Sequence, residues 1–379
     1  MTHSAPTTTA LDGGAARRSS QITPFTINID QADLDDLQDR LARTRWADQI
    51  PGSDDTYGVS VERVRHLVNY WRDGFDWREV EAKLNAYPQF TTEIDGQNIH
   101  FLHIESQRDN SFALILTHGW PGTFVEFLGV IEPLTAAGFD LVIPSVPGYG
   151  FSGPTTESGW NDQRIAKAWA ELMRRLGYTN YGAVGNDGGA QISPELGRVA
   201  PDNVVAIQVS QVYSFPSGDP AELADLTEDE QQSLATLDWF VKNKMGFNIL
   251  QSQQPQTLAH ALMDSPTGLV GWNSQLLGPD LDDEFVLTNI AIHWLTGTAG
   301  SAIRHYFEKA KAQQPTEPTT VPLGLSGSNG DFHGIRRFAD RDHTNIVSWR
   351  THDVYTHYLH HVAPALMAGE ITEFFAQYR

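Results

Sequence analysis

Cysteine is absent from the 379 residues of this chain, which rules out disulfides and thiol chemistry and leaves the redox compartment unread. Basic residues are scarce. With 26 Lys+Arg against 47 Asp+Glu, the net charge of -21 would repel nucleic acid and anionic membrane surfaces, so neither is expected as a partner. No apolar run approaches the length of a membrane span, and no apolar signal region opens the chain, since Arg17-Arg18 is followed by polar residues. The expectation is a soluble, cytoplasmic protein. There is no internal repeat, and the length suits one large catalytic domain with an inserted subdomain, or two domains.

Residues 1–20, rich in Thr, Ser, Ala and Gly, lack apolar periodicity, and a disordered tail is expected there. Between 21 and 100 the apolar spacing first turns helical: Leu34, Leu37 and Leu41, then Val61, Val64, Leu67, Val68 and Trp71, fall three or four apart. Phe90–Leu102 alternates around an Asp95-Gly96 turn. The strand-like runs Phe112–Leu116, Leu141–Ile143, Tyr181–Val184 and Val204–Val209 then alternate with amphipathic stretches such as Arg164–Leu176. This pattern is that of an α/β protein with a buried, mainly parallel sheet. After Phe215 the chain becomes acidic and helical, which reads as a cap inserted over 215–318 between core segments 101–214 and 319–379. A Pro-rich connector, Gln313–Pro322, leads back to the core strand Val321–Leu325.

Gly185-Asn186-Asp187-Gly188-Gly189 follows the run Tyr181–Val184 directly and precedes a plausible helix. A strand that turns sharply into a helix, with small residues two positions either side of the central residue, is the nucleophile elbow of the α/β-hydrolases, here carrying an aspartate. The first N–H groups of the helix would favour an ionised Asp187. An Asn-Asp-Gly tripeptide is also an ordinary turn signal. Upstream, His118-Gly119-Trp120-Pro121-Gly122 follows the strand Leu114–Leu116, where this architecture places half of its oxyanion hole. The Trp120 N–H and the Gly188 N–H are the candidate donors, and His118 and Pro121 candidate pocket residues.

An aspartyl nucleophile needs an electrophilic carbon and then a water activated by a base. In the order nucleophile, acid, histidine, Asp331 lies six residues beyond Leu325 in a Ser-Gly-Ser-Asn-Gly loop. His357 follows the strand Ile346–Trp349 and precedes a last helix, Pro364–Tyr378. His343, His352, His360 and His361 crowd the same region, and Asp340, Asp342 and Asp353 compete with Asp331. Position favours Asp331 and His357.

As a set, these motifs resemble the microsomal-type epoxide hydrolases, α/β-hydrolases with an N-terminal meander. The likeness rests on Arg43-Thr44-Arg45-Trp46, Phe75-Asp76-Trp77-Arg78, His118-Gly119-Trp120-Pro121, Pro144–Ser152, the elbow and Thr296-Gly297-Thr298. It implies an α/β-hydrolase core, an inserted helical cap and a meander wrapped around both. It also implies hydrolysis of an oxirane to a vicinal diol without metal or organic cofactor. Carried over residue by residue, Asp187 opens the ring, His357 assisted by Asp331 activates water, and Tyr306 in the cap donates to the ring oxygen. The family's second cap tyrosine falls on Phe247, a pocket candidate that has no donor. Gly188 replaces the usual tryptophan, and Tyr355-Thr356 and Tyr358-Leu359-His360 replace small residues around His357. The implied partner is a bulky, uncharged epoxide. The oligomeric state stays open, a homodimer included. Two other readings stand beside this one: a haloalkane dehalogenase, disfavoured by Gly188 and by retention of Tyr306, and a binding protein with a degenerate site, suggested by Phe247.

Overall fold

The computed structural model describes residues 21–313 and 315–379; the tail expected over 1–20 lies outside the described residues. Nine strands form one sheet: β1 Thr23–Phe25, β2 Gln89–Ile94, β3 Gln97–Ile104, β4 Phe112–Thr117, β5 Phe139–Pro144, β6 Tyr181–Gly185, β7 Val204–Val209, β8 Leu323–Ser328 and β9 Ile346–His352. Their spatial order is β1-β2-β3-β5-β4-β6-β7-β8-β9. The pairings from β5 through β9 are parallel, and β1, β2 and β3 join antiparallel at one edge. Every residue of β4, β5 and β6 is buried. That burial is why those strands read as continuous apolar runs, whereas the β2–β3 hairpin alternates around Asp95-Gly96.

Helices cover both faces of the sheet. Gly182 pairs with Ala206 and Ala183 with Ile207, so Gly182 and Ile207 face opposite sides. A Cβ on Gly182 would strike Phe375 of the helix Pro364–Phe375, and a Cβ on Gly197 of the helix Gly189–Val199 would come within 2.8 Å of Ile207. These two helices therefore sandwich the sheet.

Between β7 and β8 the described elements are all helical, from a short turn at Pro220–Leu223 to the helix Arg304–Lys311. The helix Glu228–Asn243 buries none of its residues and is started by a capping box between Thr227 and Glu230. The N-terminal helices Gln31–Ala42 and Val61–Asp73 pack on the cap helix Pro266–Asn273. Arg63 pairs with Asp283 at 2.8 Å and Lys83 with Glu284 at 2.7 Å. β1, too short to show a strand pattern, pairs this N-terminal part with the sheet's antiparallel edge, and Gln89 of β2 bonds the Leu84 carbonyl at 2.9 Å.

The sheet's parallel strands end at a common rim, where ligands bind in open α/β sheets. The turn after β6 is the tightest point there. A Cβ on Gly185 would overlap the Gly189 carbonyl, and one on Gly189 would fall on the Thr117 carbonyl oxygen of β4. Gly189→Ala is expected to lower stability by roughly 1–3 kcal/mol or to prevent folding, measured by urea denaturation followed by circular dichroism.

Candidate active site

Five parallel strands deliver the site from their C-terminal ends. The loop after β4 brings Trp120, the elbow after β6 brings Asp187, the segment after β7 brings Gln211 and Tyr213, the loop after β8 brings Asp331, and the chain after β9 brings His357. Asp187 has φ 52°, in the left-handed region that is rare for a residue with a side chain. Two contacts hold it there. Its N–H donates to Gln211 Oε1 at 2.8 Å, and its Oδ1 accepts the Trp120 N–H at 2.9 Å. A Cβ on Gly119 would overlap both Asp187 Oδ1 and the Gly188 nitrogen, so glycine at 119 lets its loop close onto the elbow while the Trp120 N–H bonds the carboxylate.

His357 Nδ1 lies 2.8 Å from Asp331 Oδ2, and its Nε2 lies 3.6 Å from Asp187 Oδ2. Burial pulls the imidazole pKa down. The charge and hydrogen bond of Asp331, then the charges of Asp187 and Glu126, outweigh it and raise His357 to about 10. Asp331 is driven the other way: burial raises it, but the His357 charge and hydrogen bond, the Phe332 N–H and the Gln211 amide hold it below the usual carboxylate range. The His357 ring thus lies between two carboxyl side chains, and its raised pKa favours the protonated form.

Asp331 stands closer to its strand than its apolar neighbours suggest. β8 runs on through Ser326, Gly327 and Ser328, all buried, so the acid follows the strand end by three residues instead of six residues beyond Leu325. Its competitors are engaged elsewhere. Asp340 pairs with Arg336 at 2.8 Å, Asp342 with Arg341 at 2.7 Å, and Asp353 accepts from Asn329 at 3.2 Å. Among the histidines, His343 bonds Thr319 at 2.7 Å, His352 bonds Ser326 at 2.8 Å, and His361 bonds Asp282 at 2.8 Å, while His360 packs against Phe127.

His118 is not a pocket residue. It is fully buried, with Nδ1 3.1 Å from the Gly119 carbonyl and Nε2 accepting the Val146 N–H at 3.2 Å, so it ties two loops together through their backbones. Burial lowers its pKa to about 3, and it stays neutral. Pro121 is buried beside Trp120. Trp120, Phe247 and Tyr306 form an aromatic triangle: Phe247 stacks on Trp120 with centroids 5.7 Å apart, and Tyr306 meets their rings edgewise at 5.9 and 6.1 Å. The Tyr306 phenol is raised well above its ordinary pKa by burial and then by the charge of Asp187. Tyr149 and Tyr213 are raised by the same two causes in the same order, so the charge of Asp187 reaches these phenols too.

Gln211 was invisible in the sequence because an amide after a strand carries no pattern. It accepts from the Asp187 backbone and donates to Asn186 Oδ1 at 2.9 Å and Asp331 Oδ2 at 2.5 Å, coupling nucleophile and acid. Thr298, from the cap motif, is buried and accepts the Gly150 N–H at 3.0 Å, which joins cap to core.

With this geometry in view, comparison with known proteins is direct. The family described as epoxide hydrolase N terminus matches residues 22–127, and the alpha/beta hydrolase fold family matches residues 113–255. A Stigmatella aurantiaca protein named "Putative epoxide hydrolase" is 39% identical over 94% of this chain and 86% of its own length. The chain belongs to the epoxide hydrolase family. Epoxide hydrolase 1 of Sus scrofa is 28% identical over 95% of this chain and 90% of its own. The structure of Aspergillus niger epoxide hydrolase superposes with a TM-score of 0.83 at 29% identity, covering 96% of this chain and 98% of the other. Among the described residues, no helix is long and apolar enough to cross a membrane.

The His357 pKa has a consequence for stability. A histidine raised from 6.5 to about 10 contributes stability that is fully present below pH 6.5 and is lost as pH rises through about 10. The unfolding free energy of the wild type is therefore expected to fall from about pH 6.5 up to about pH 10, and His357→Gln to flatten the slope. Denaturant titrations at a series of pH values measure both.

Proposed function

We propose that this epoxide hydrolase opens an oxirane through an ester on Asp187 and hydrolyses that ester with water activated by His357. The observation that carries the reading is the line Asp187–His357–Asp331, with a nucleophile oxygen 3.6 Å from Nε2 and the acid 2.8 Å from Nδ1. A site reduced to binding alone would have no need of this alignment, nor of a strained φ at Asp187.

In the first step Asp187 Oδ2 attacks an oxirane carbon, the C–O bond breaks, and the ring oxygen takes a proton from Tyr306. Esterification removes the negative charge of Asp187, one of the charges that holds the proton on His357. The imidazolium then returns a proton to the tyrosinate, directly or through water, and becomes a neutral base. In the second step His357 takes a proton from water as its oxygen attacks the ester carbon. The Trp120 and Gly188 N–H groups stabilise the oxyanion. The ester C–O bond breaks, and the departing diol oxygen and His357 each end with one of the two water protons. The cycle closes on Asp187 carboxylate and His357 imidazolium, with no net exchange of protons.

Trp120, Phe247 and Tyr306 present aromatic surface at the site, which supports a bulky, uncharged epoxide as substrate. Phe247 cannot donate, so Tyr306 bears more of the stabilisation of the departing oxygen. Tyr306→Phe is expected to slow ring opening by roughly 100- to 10,000-fold in single-turnover assays with styrene oxide. His357→Ala is expected to form the Asp187 adduct and retain it, as read by intact-protein mass spectrometry and peptide mapping. A His357→Ala protein that folds yet carries no adduct across aryl and alkyl epoxides would contradict the proposal.

A further inference from the structure

Glu126 lies in the turn Phe124–Phe127, five residues beyond Pro121. It is 1% exposed, yet neither carboxyl oxygen has a partner at ordinary hydrogen-bond distance, the Asn186 amide acting on it only as a longer contact. A buried carboxyl without partners is costly, so it calls for a reason. Two neighbours share its condition. The Tyr358 hydroxyl and the Asn186 side-chain nitrogen are both buried and unpartnered. Asn186 precedes the nucleophile in the chain, and Tyr358 follows the base.

Glu126 and Tyr358 meet beside Gly122. Glu126 Oε2 and the Tyr358 ring lie 3.0 and 3.1 Å from the position a Cβ would take on Gly122, so glycine there spares both groups a side chain that would press on them. Glu126 is the strongest charge acting on the Tyr358 phenol, and Asn186 is near enough to favour ionisation of Glu126. His357 and Asp187 also act on the Glu126 carboxyl, which burial nevertheless raises to about 8. An amide donor, a hydroxyl that donates or accepts, and a carboxyl acceptor are the partners that a buried water needs.

We propose that Glu126, Asn186 and Tyr358 form the seat of the hydrolytic water, with Glu126 as the residue that positions it. This rests on the two-step reading above. The water oxygen attacks Cγ of the Asp187 ester while one proton passes to His357 Nε2. The other hydrogen is held by a Glu126 oxygen, which fixes the lone pair that attacks. Glu126 takes no part in ring opening, where Asp187, Tyr306 and the backbone donors act.

The test is a pair of variants, Glu126→Met and Glu126→Gln, assayed with styrene oxide beside wild type and His357→Ala. Rapid-quench mass spectrometry separates adduct formation from adduct loss. Adduct loss in Glu126→Met is expected to slow by about 10- to 100-fold, with ring opening far less affected, so that adduct dominates the steady state. Glu126→Gln, which keeps one acceptor oxygen, lies between. Because Met removes an unpartnered buried acid, the melting temperature is expected to hold or rise, as a structural role would not allow. In oxygen-18 water, one turnover of wild type places the label in Asp187. Adduct loss at the wild-type rate in both variants, or parallel losses of ring opening, hydrolysis and melting temperature, would overturn the role of Glu126. Absence of adduct in His357→Ala would instead overturn the ester mechanism itself.

Discussion

His357 held between Asp331 and Asp187 is the interaction on which the rest of the site depends. A buried imidazolium is costly alone. Here it is flanked by two carboxylates, and its proton is stabilised by a charge that the reaction itself removes. That coupling lets one residue serve both steps. In the mechanism proposed above, His357 keeps its proton while Asp187 is ionised and becomes a base once Asp187 is esterified. Gln211 joins the two carboxylate-bearing loops, so the distances that set the coupling are fixed by the sheet instead of by mobile side chains.

Backbone constraint supplies the remainder. The left-handed Asp187 is possible because Gly185 and Gly189 leave no Cβ in the way, and the helix Gly189–Val199 can approach β4 within contact of Thr117. The same close approach sets the Gly188 N–H beside the Trp120 N–H. A Cβ on Gly188 would lie in ordinary contact with His305, 3.9 Å away, and His305 is fixed by Asp162 at 2.7 Å. Cap and core are locked by polar contacts: Thr356 to Asp280 at 2.7 Å, Thr123 to Asn289 at 2.8 Å, and Ser301 to the Gly148 carbonyl at 2.6 Å. Thr356 thus serves the cap interface, which gives a physical role to one departure from the small residues usual beside the histidine.

Much of this could be read before the fold was seen, because strong local rules were at work. Glycine spacing marked the elbow, continuous apolar runs marked the buried parallel strands, and chain order selected Asp331 and His357 from crowded alternatives. What stayed hidden came from long-range contacts. Gln211 and Glu126 belong to no short pattern, and their roles arise only where loops from different strands converge. The reach of β8 was underestimated because Ser326 and Ser328 are buried through hydrogen bonds, not through apolar character. His118 was misread for a related reason: a histidine beside an oxyanion hole suggests a ligand contact, but backbone groups occupy both of its nitrogens.

The central claim is that the resting enzyme already holds the proton that ring opening consumes. It is tested most directly by stopped-flow measurement of proton exchange during the first turnover of styrene oxide. A pH indicator in weak buffer near neutrality reports protons, and tryptophan fluorescence reports formation of the ester. The account predicts a fluorescence burst with no accompanying proton uptake, because His357 supplies the proton from within the site. Uptake of one proton for each ester formed would show that His357 is neutral at rest, and would contradict the account.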